Sequence, residues 1–210
     1  MAAMTYMQFL WNSKNAHGVH SPFVYNIISK CFYNKIQPLY RKQKDVPAEG
    51  ISLPLARLLH KLVVCSRASK LYVLGDEAAG ITEVLRVSGE AINTRPWFFS
   101  PLAPIPGAVD LAYISAKDTA SLMPLYENIL PNIDENSIAV IGNIHLSEET
   151  ETAWEAIKNH PQTVVTIDTY YAGLVFTRKK QAKQHFIIRC NKNIITDAVL
   201  GIRNLWGLLG

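Results

Sequence analysis

The sequence predicts an α/β fold built on a mostly parallel sheet, and three observations predict it. "KLYVLG", "VDLAYIS" and "SIAVIG" are short, nearly continuous apolar runs, the pattern of strands buried on both faces. Segments with the apolar spacing of helices lie between them. After the third run the pattern changes. "TVVTIDTY" and "GLVFTR" are β-rich and joined by a short turn at Ala172-Gly173, which reads as an antiparallel hairpin at one edge of the sheet. Strand–helix–strand–helix–strand closed by a hairpin is an α/β order.

The bulk properties agree. A chain of 210 residues fits one domain, or one domain with an appendage. A hydrophobic fraction of 49% with 18% charged residues supports a packed core and argues against disorder over most of the length. The formal charge of +4 is too weak to argue for nucleic acid by itself. Cys31, Cys65 and Cys190 are odd in number and far apart in sequence, with no CxxC, so they read as reduced thiols rather than a disulfide or zinc site. The start "MAAMTYMQFLWNSK" lacks the basic n-region of a signal peptide, and no run reaches the roughly 20 apolar residues of a membrane span. A cytoplasmic protein is expected.

Taken in order, "YMQFLW" is a short apolar helix. Ser21-Pro22 supplies an N-cap and a proline at the first position of a second helix, with Phe23, Ile27 and Ile28 on one face. "NKIQPLYRKQKDVPAEG" is polar with two prolines, a linker or surface loop. Ser52 caps "LPLARLLHKLVVCSR", and strand "KLYVLG" follows. "AAGITEVLRVSGE" is a helix ending at Gly89. "AINTRPWFF" holds a short strand, and "PLAPIPGA" is a loop. Ser121 caps the helix before "SIAVIG", which leaves Pro124 in its first turn. Ser147 caps "EETETAWEAIKNH", with Glu148, Glu149 and Glu151 at the positive end of its dipole. "QHFIIRC" suits one more strand, and "ITDAVLGIRNLWGLLG" an amphipathic helix. Residues 1–50 thus form a helical extension and residues 51–210 the α/β domain.

Ligands of open α/β sheets sit at the carboxyl ends of the strands. The informative positions are therefore Gly75–Gly80, Ser115–Asp118 and Gly142–Ser147. "GDEAAG" is not a phosphate-binding Walker loop, because Ile81-Thr82 stand where Lys-Ser/Thr belongs. Its two carboxylates would repel a phosphate and suit a cation such as a sulfonium. A plain strand-to-helix turn is the alternative. Asn143 and His145 follow a central strand. His145 reads equally as a general base or as a partly buried histidine at a helix start. Asp168 and Tyr170 read as sheet-edge polar residues. His17-x-x-His20 is half of a metal site with nothing to complete it, or a structured turn, and no metal is expected. Arg178, Lys179, Lys180 and Lys183 form a basic turn that blunts the sheet edges; no interleaved aromatic stripe makes it a nucleic-acid platform.

"RLLHKLVVCSRASKLYVLGDEAAGITEVL" resembles the helix, first strand and glycine loop of class I S-adenosylmethionine-dependent methyltransferases. The segment from "SIAVIG" to "HFIIR" resembles their C-terminal half, including its antiparallel last strand. "NAHGVHSPFVY" and "NIHLSEETETAW" are similar to the HGxHSPF and DDIHxS…AW elements of a bacterial subgroup. The resemblance implies a Rossmann-like methyltransferase-type sheet. It also implies a cofactor site at Gly75, Asp76 and Gly80, with substrate contacts at Asn143 and His145.

The chain departs from that pattern chemically. Val73 stands where active members carry an acid two residues before the glycine, and Glu77 and Ala79 replace small turn residues. "AINTRPWFFSP" has no acid to hold ribose hydroxyls. Of the metal triad found in catechol-type members only Asn143 remains, and one neutral amide does not hold Mg²⁺. From Gly75 to Asp110 there are about 35 residues, room for one βαβ unit and not for the family's third strand. The expectation is a shortened, degenerate methyltransferase-like protein that binds no cofactor and serves as a binding or interaction module for a protein or a small molecule. The competing expectations are an active small-molecule methyltransferase using S-adenosylmethionine, and a weakly basic RNA-binding module.

Overall fold

The computed structural model describes residues 3–15, 18–100, 102–179 and 181–190. Two short helices, α1 (Tyr6–Asn12) and α2 (Pro22–Ile27), lead into a π-turn over Ile28–Phe32. The α/β part then runs α3 (Leu53–Ser66), β1 (Lys70–Gly75), α4 (Ala78–Glu90), β2 (Trp97–Phe98), β3 (Leu111–Ser115), α5 (Thr119–Ile129), β4 (Ile138–Gly142), α6 (Glu148–Asn159), β5 (Val165–Asp168), β6 (Ala172–Phe176) and β7 (Gln184–Ile187).

The seven strands form one sheet in the order β2-β1-β3-β4-β6-β5-β7. All neighbours are parallel except β6, which runs antiparallel to both β4 and β5. This is the Rossmann-like, methyltransferase-type sheet the sequence predicts, shortened in its first half. Between Gly75 and Asp110 the described residues hold one helix and the two-residue strand β2. The chain then returns to the start of β3 through a loop pinned by Asn132, whose amide donates to the carbonyls of Ile105 and Gly107.

Burial alternates along the strands and sorts the helices. Leu71, Leu111, Tyr113 and Val140 face the core shared with α3, α4 and the N-terminal segment. Tyr72, Ala112, Ile114, Ala139 and Ile141 face the core shared with α5 and α6. The interior strands β3, β4, β5 and β6 are covered on both sides, which is why runs such as "VDLAYIS" and "SIAVIG" read as continuously apolar. Ser21, Ser52 and Ser147 cap their helices as predicted, each accepting a backbone N–H three residues on.

Four local expectations need correction. Helix α5 begins at Thr119 with Asp118 as its cap, because the Asp118 carboxylate accepts the Ser121 N–H; Pro124 therefore lies inside the helix. The hairpin turn occupies residues 169–171 rather than Ala172-Gly173, which are strand residues. Gly173 is there to be packed on: a methyl at this position would overlap the indole of Trp154. The antiparallel pair is not at the sheet edge, because β7 adds beyond β5. Finally, the polar stretch after residue 34 is not a free linker. Tyr40 is 1% exposed and its hydroxyl lies 3.0 Å from the Val84 carbonyl, while Arg57 donates to the carbonyls of Tyr40 and Arg41. His17, Lys180 and the predicted C-terminal helix lie outside the described residues. No described helix is long and apolar enough to cross a membrane.

Candidate functional site

The carboxyl ends of β1, β3 and β4 open onto a cavity of about 480 Å³. Asp76 and Glu77 enter it from the turn after β1, Ser115 to Asp118 from the turn after β3, and Asn143, Leu146 and Ser147 from the turn after β4. Glu149 and Thr150, on the first turn of α6, complete the lining. The sequence placed the three turns here, Leu146 among them; Glu149 and Thr150 escaped it, though they closely follow the predicted turn.

The cavity is acidic. Asp76, Glu77, Asp118 and Glu149 face it, and among the described residues Lys117 is the one lining cation. The Ser121 backbone N–H holds the Asp118 carboxyl below its usual range, and the Ser147 side chain does the same for Glu149. Lys117 reaches Asp76 at 3.6 Å, but both side chains are largely exposed, so the pair is weak.

Packing beneath the cavity-lining turns explains the two glycines. Gly75 has φ +108, and a Cβ there would run into the Ser115 carbonyl. The Tyr113 hydroxyl packs directly on Gly142 and donates to Glu77 at 2.8 Å. Tyr113 is fully buried; burial first, and the adjacent Glu77 charge second, push its pKa well above the usual phenol value. The phenol therefore fills the space between the glycine turn and β4, and Glu77 turns inward to meet it. A tyrosine in an otherwise aliphatic strand was the signal for this contact, since a buried hydroxyl requires a partner. The Ser115 hydroxyl, 4% exposed, lies beside the phenol without a well-formed hydrogen bond.

The predicted site residues divide. Asp76 and Asn143 line the cavity, and Gly75 ends β1 immediately before Asp76 without lining it. Gly80 does not line it either: it lies inside α4, where a Cβ would press on Ala48 and Ile51. His145 turns the other way, between α6 and β5. Its Nε2 lies 2.7 Å from Asp168, and its Nδ1 bonds Glu151. Tyr170 stacks on the imidazole with centroids 5.5 Å apart. Burial opposes the charged ring, but the hydrogen bonds and charges of Asp168 and Glu151 outweigh it, and the His145 pKa is raised. A protonated histidine donating from both nitrogens has no lone pair with which to accept a proton. Asp168 is likewise not a sheet-edge residue: it is 5% exposed on an interior strand and also accepts the Tyr170 N–H.

Two residues around this cluster have left-handed backbone, Asn143 at φ 55 and Tyr170 at φ 74. Asn tolerates that region; for Tyr it is strained. The strain is held by packing, because Tyr170 also meets the rings of Tyr6 and Phe9 on α1. Met4 donates its N–H to Glu151 at 3.2 Å, so the N-terminal strand of chain closes over the cluster.

Other candidates are engaged elsewhere. Arg178 stacks over Phe23 at 4.1 Å and Lys183 donates to the His160 carbonyl. Among the described residues no group of three or more His, Cys, Asp or Glu could hold a metal ion.

No protein-family model matches this sequence, and no curated protein does. Among solved structures the chain is similar to the O-methyltransferase TomG from Streptomyces achromogenes, involved in tomaymycin synthesis and determined in complex with SAM. The identity is 13% and the TM-score 0.43, over 72% of this chain and 89% of that one. It is also similar to a candidate O-methyltransferase from Klebsiella pneumoniae, at 11% identity and TM-score 0.41, over 78% of this chain and 93% of that one. At these identities and scores the functional reading rests on the site's own geometry.

Proposed function

We propose that this chain is a methyltransferase-like binding protein whose nucleoside cofactor site has eroded, and that its carboxyl-edge cavity takes a small organic cation. One observation carries the reading: the Tyr113 hydroxyl, bonded to Glu77 and seated on Gly142, occupies the floor beneath the glycine turn. The residues present do not fit S-adenosylmethionine. β2 is only Trp97–Phe98 with no acid following it to pair ribose hydroxyls, and among the described residues no further strand and helix stand between β2 and β3 to cover an adenine. Each unmatched polar group costs roughly 1–3 kcal/mol. Lost apolar cover costs about 25 cal/mol per Å². Since 1.4 kcal/mol is tenfold, a micromolar ligand becomes one of about millimolar affinity. What remains is an acid-lined cavity, and carboxylates in excess of their cations attract positive charge.

Titration calorimetry with S-adenosylmethionine and S-adenosylhomocysteine should show no saturable binding below about 1 mM. Micromolar binding weakened by Asp76→Ala would instead support the second reading, an active small-molecule methyltransferase. That reading draws on Asp76, Ser115 and Asn143 lining one cavity. For the cation, trimethylsulfonium is the probe, followed by NMR shifts. Shifts centred on Asp76, Glu77 and Asn143 support the proposal; shifts elsewhere, or none, defeat it. Arg178 and Lys183 of the basic turn are tied to Phe23 and His160, which favours the cavity over that turn as the binding site.

A further inference from the structure

The three cysteines, far apart in sequence, converge on one lysine. Lys61, on the middle of α3, donates to the carbonyls of Phe32, next to Cys31, and of Cys190, and stands one turn before Cys65. Two of the three are a pair. Cys31 sits in the π-turn Ile28–Phe32, and Cys65 is the penultimate residue of α3, one turn after Lys61. The two elements are clamped together on either side of Cys31: Cys65 donates its S–H to the Lys30 carbonyl at 3.1 Å, and Lys61 donates to the Phe32 carbonyl at 2.6 Å. The Cys65 sulfur thus lies against the carbonyl of the residue that precedes Cys31. Both are partly exposed and line one open cleft of about 440 Å³ beside Phe23 and Ile27. π-Turns inside helices recur at functional sites, and this one carries the thiol to its partner.

We propose that Cys31 and Cys65 are a reversible dithiol–disulfide couple that exchanges with low-molecular-weight disulfides of the glutathione type. Cys65 is the attacking thiol. The neutral Cys65 thiol donates to the Lys30 carbonyl; once that proton is lost, the Cys31 S–H as donor and then the Lys61 charge favour the thiolate and lower its pKa against the pull of burial. Cys31 is the resolving thiol: its bond to Cys65, then burial, hold its proton. Cys190 stands apart, its thiol pushed up to about 12 by surrounding protein atoms although the residue as a whole is not fully buried.

The exchange balances. The Cys65 thiolate attacks one sulfur of RSSR, the S–S bond breaks, and RS⁻ leaves and takes up the Cys31 proton. The Cys31 thiolate then attacks the Cys65 sulfur of the mixed disulfide and releases a second RS⁻, which is protonated from water. One small disulfide is reduced by two electrons to two thiols, and the protein gains one S–S bond. That bond would fasten the segment before residue 34 to α3, and so make attachment of the N-terminal segment depend on the thiol pool.

The test is equilibration of the full chain in glutathione buffers of rising oxidised fraction, followed by acid quench and non-reducing peptide mapping. Wild type and Cys190→Ser should lose two hydrogen atoms and yield a peptide joining Cys31 to Cys65, reversed by dithiothreitol. Cys31→Ser should stop at a glutathione adduct on Cys65, and Cys65→Ser should form no bridge. In wild type, timed iodoacetamide labelling at neutral pH should modify Cys65 at least tenfold faster than Cys190. A bridge to Cys190, persistence of both thiols in fully oxidised glutathione, or equal labelling rates would overturn the proposal. If the serine variants fail to fold, the wild-type map and labelling rates still decide it.

Discussion

The turn from Asn143 to Ser147 has two sides, and they differ in how their charges are met. Outward, Asn143, Leu146 and Ser147 line a cavity in which four carboxylates face one lysine, and Leu146 is 75% exposed. Inward, His145 is 8% exposed and each of its nitrogens meets a carboxylate, with an aromatic ring stacked on its face. A polar group whose partners are all supplied by the fold holds structure. A group left with excess charge at a strand's carboxyl end is available to a ligand. Histidine, the residue that reads most like chemistry in the sequence, falls on the structural side.

The largest effect should come from emptying the inward side. His145→Ala leaves Asp168 and Glu151 facing each other without their cation, and breaking such a buried cluster costs about 3–5 kcal/mol. Urea unfolding measures it, and a loss under 1 kcal/mol would mean the cluster is not holding α6 to β5. The same cluster sets a pH signature. The folded pKa of His145 is raised above the unfolded 6.5, so its stabilisation is complete below about pH 6.5 and is lost as pH rises through the folded value. The unfolding free energy of wild type should fall across that window, and His145→Gln should lack that component.

A smaller loss is expected one strand away. Gly173 pairs with Asp168 across the hairpin and lies under Trp154. Gly173→Ala forces the indole aside, at a cost of about 1–3 kcal/mol in the same assay. An unchanged Trp fluorescence and stability would show that α6 has slack there, and the inward side would then be less tightly built than its hydrogen bonds imply.

What was legible in the sequence follows from the same division. The strands announced themselves because burial on both faces leaves only apolar residues, and the caps at Ser21, Ser52 and Ser147 because one side-chain oxygen three residues before a backbone N–H is a local event. The order of β6 and β5, and the addition of β7 beyond them, depend on contacts between residues far apart in the chain. Gly173 and Gly80 read as turn and ligand glycines, whereas each serves a neighbour in space, Trp154 and Ile51. His145 was ambiguous for a related reason: its partners lie 6 and 23 residues away, one on a helix and one on a strand, and no spacing rule joins them.

The smallest stability effect tests the outward side most sharply. Lys117 and Asp76 are 3.6 Å apart with side chains 87% and 63% exposed, the situation in which an ion pair is worth little. Lys117→Ala should therefore change unfolding free energy by no more than about 0.5 kcal/mol. Its effect on binding should be larger and favourable. Removing Lys117, the one lining cation among the described residues, takes the opposing charge away from Asp76, Glu77, Asp118 and Glu149. A unit charge about 4 Å away is worth about 1 kcal/mol in water, so trimethylsulfonium affinity should rise up to about fivefold. NMR titration of wild type and variant side by side gives that ratio. If stability fell by more than 1 kcal/mol, Lys117 would be structural and the two sides of the turn would not differ as argued. If stability held but affinity did not rise, the carboxylates would not be the groups that meet the cation, and the acid-lined cavity would lose its assignment while the buried histidine cluster kept its own.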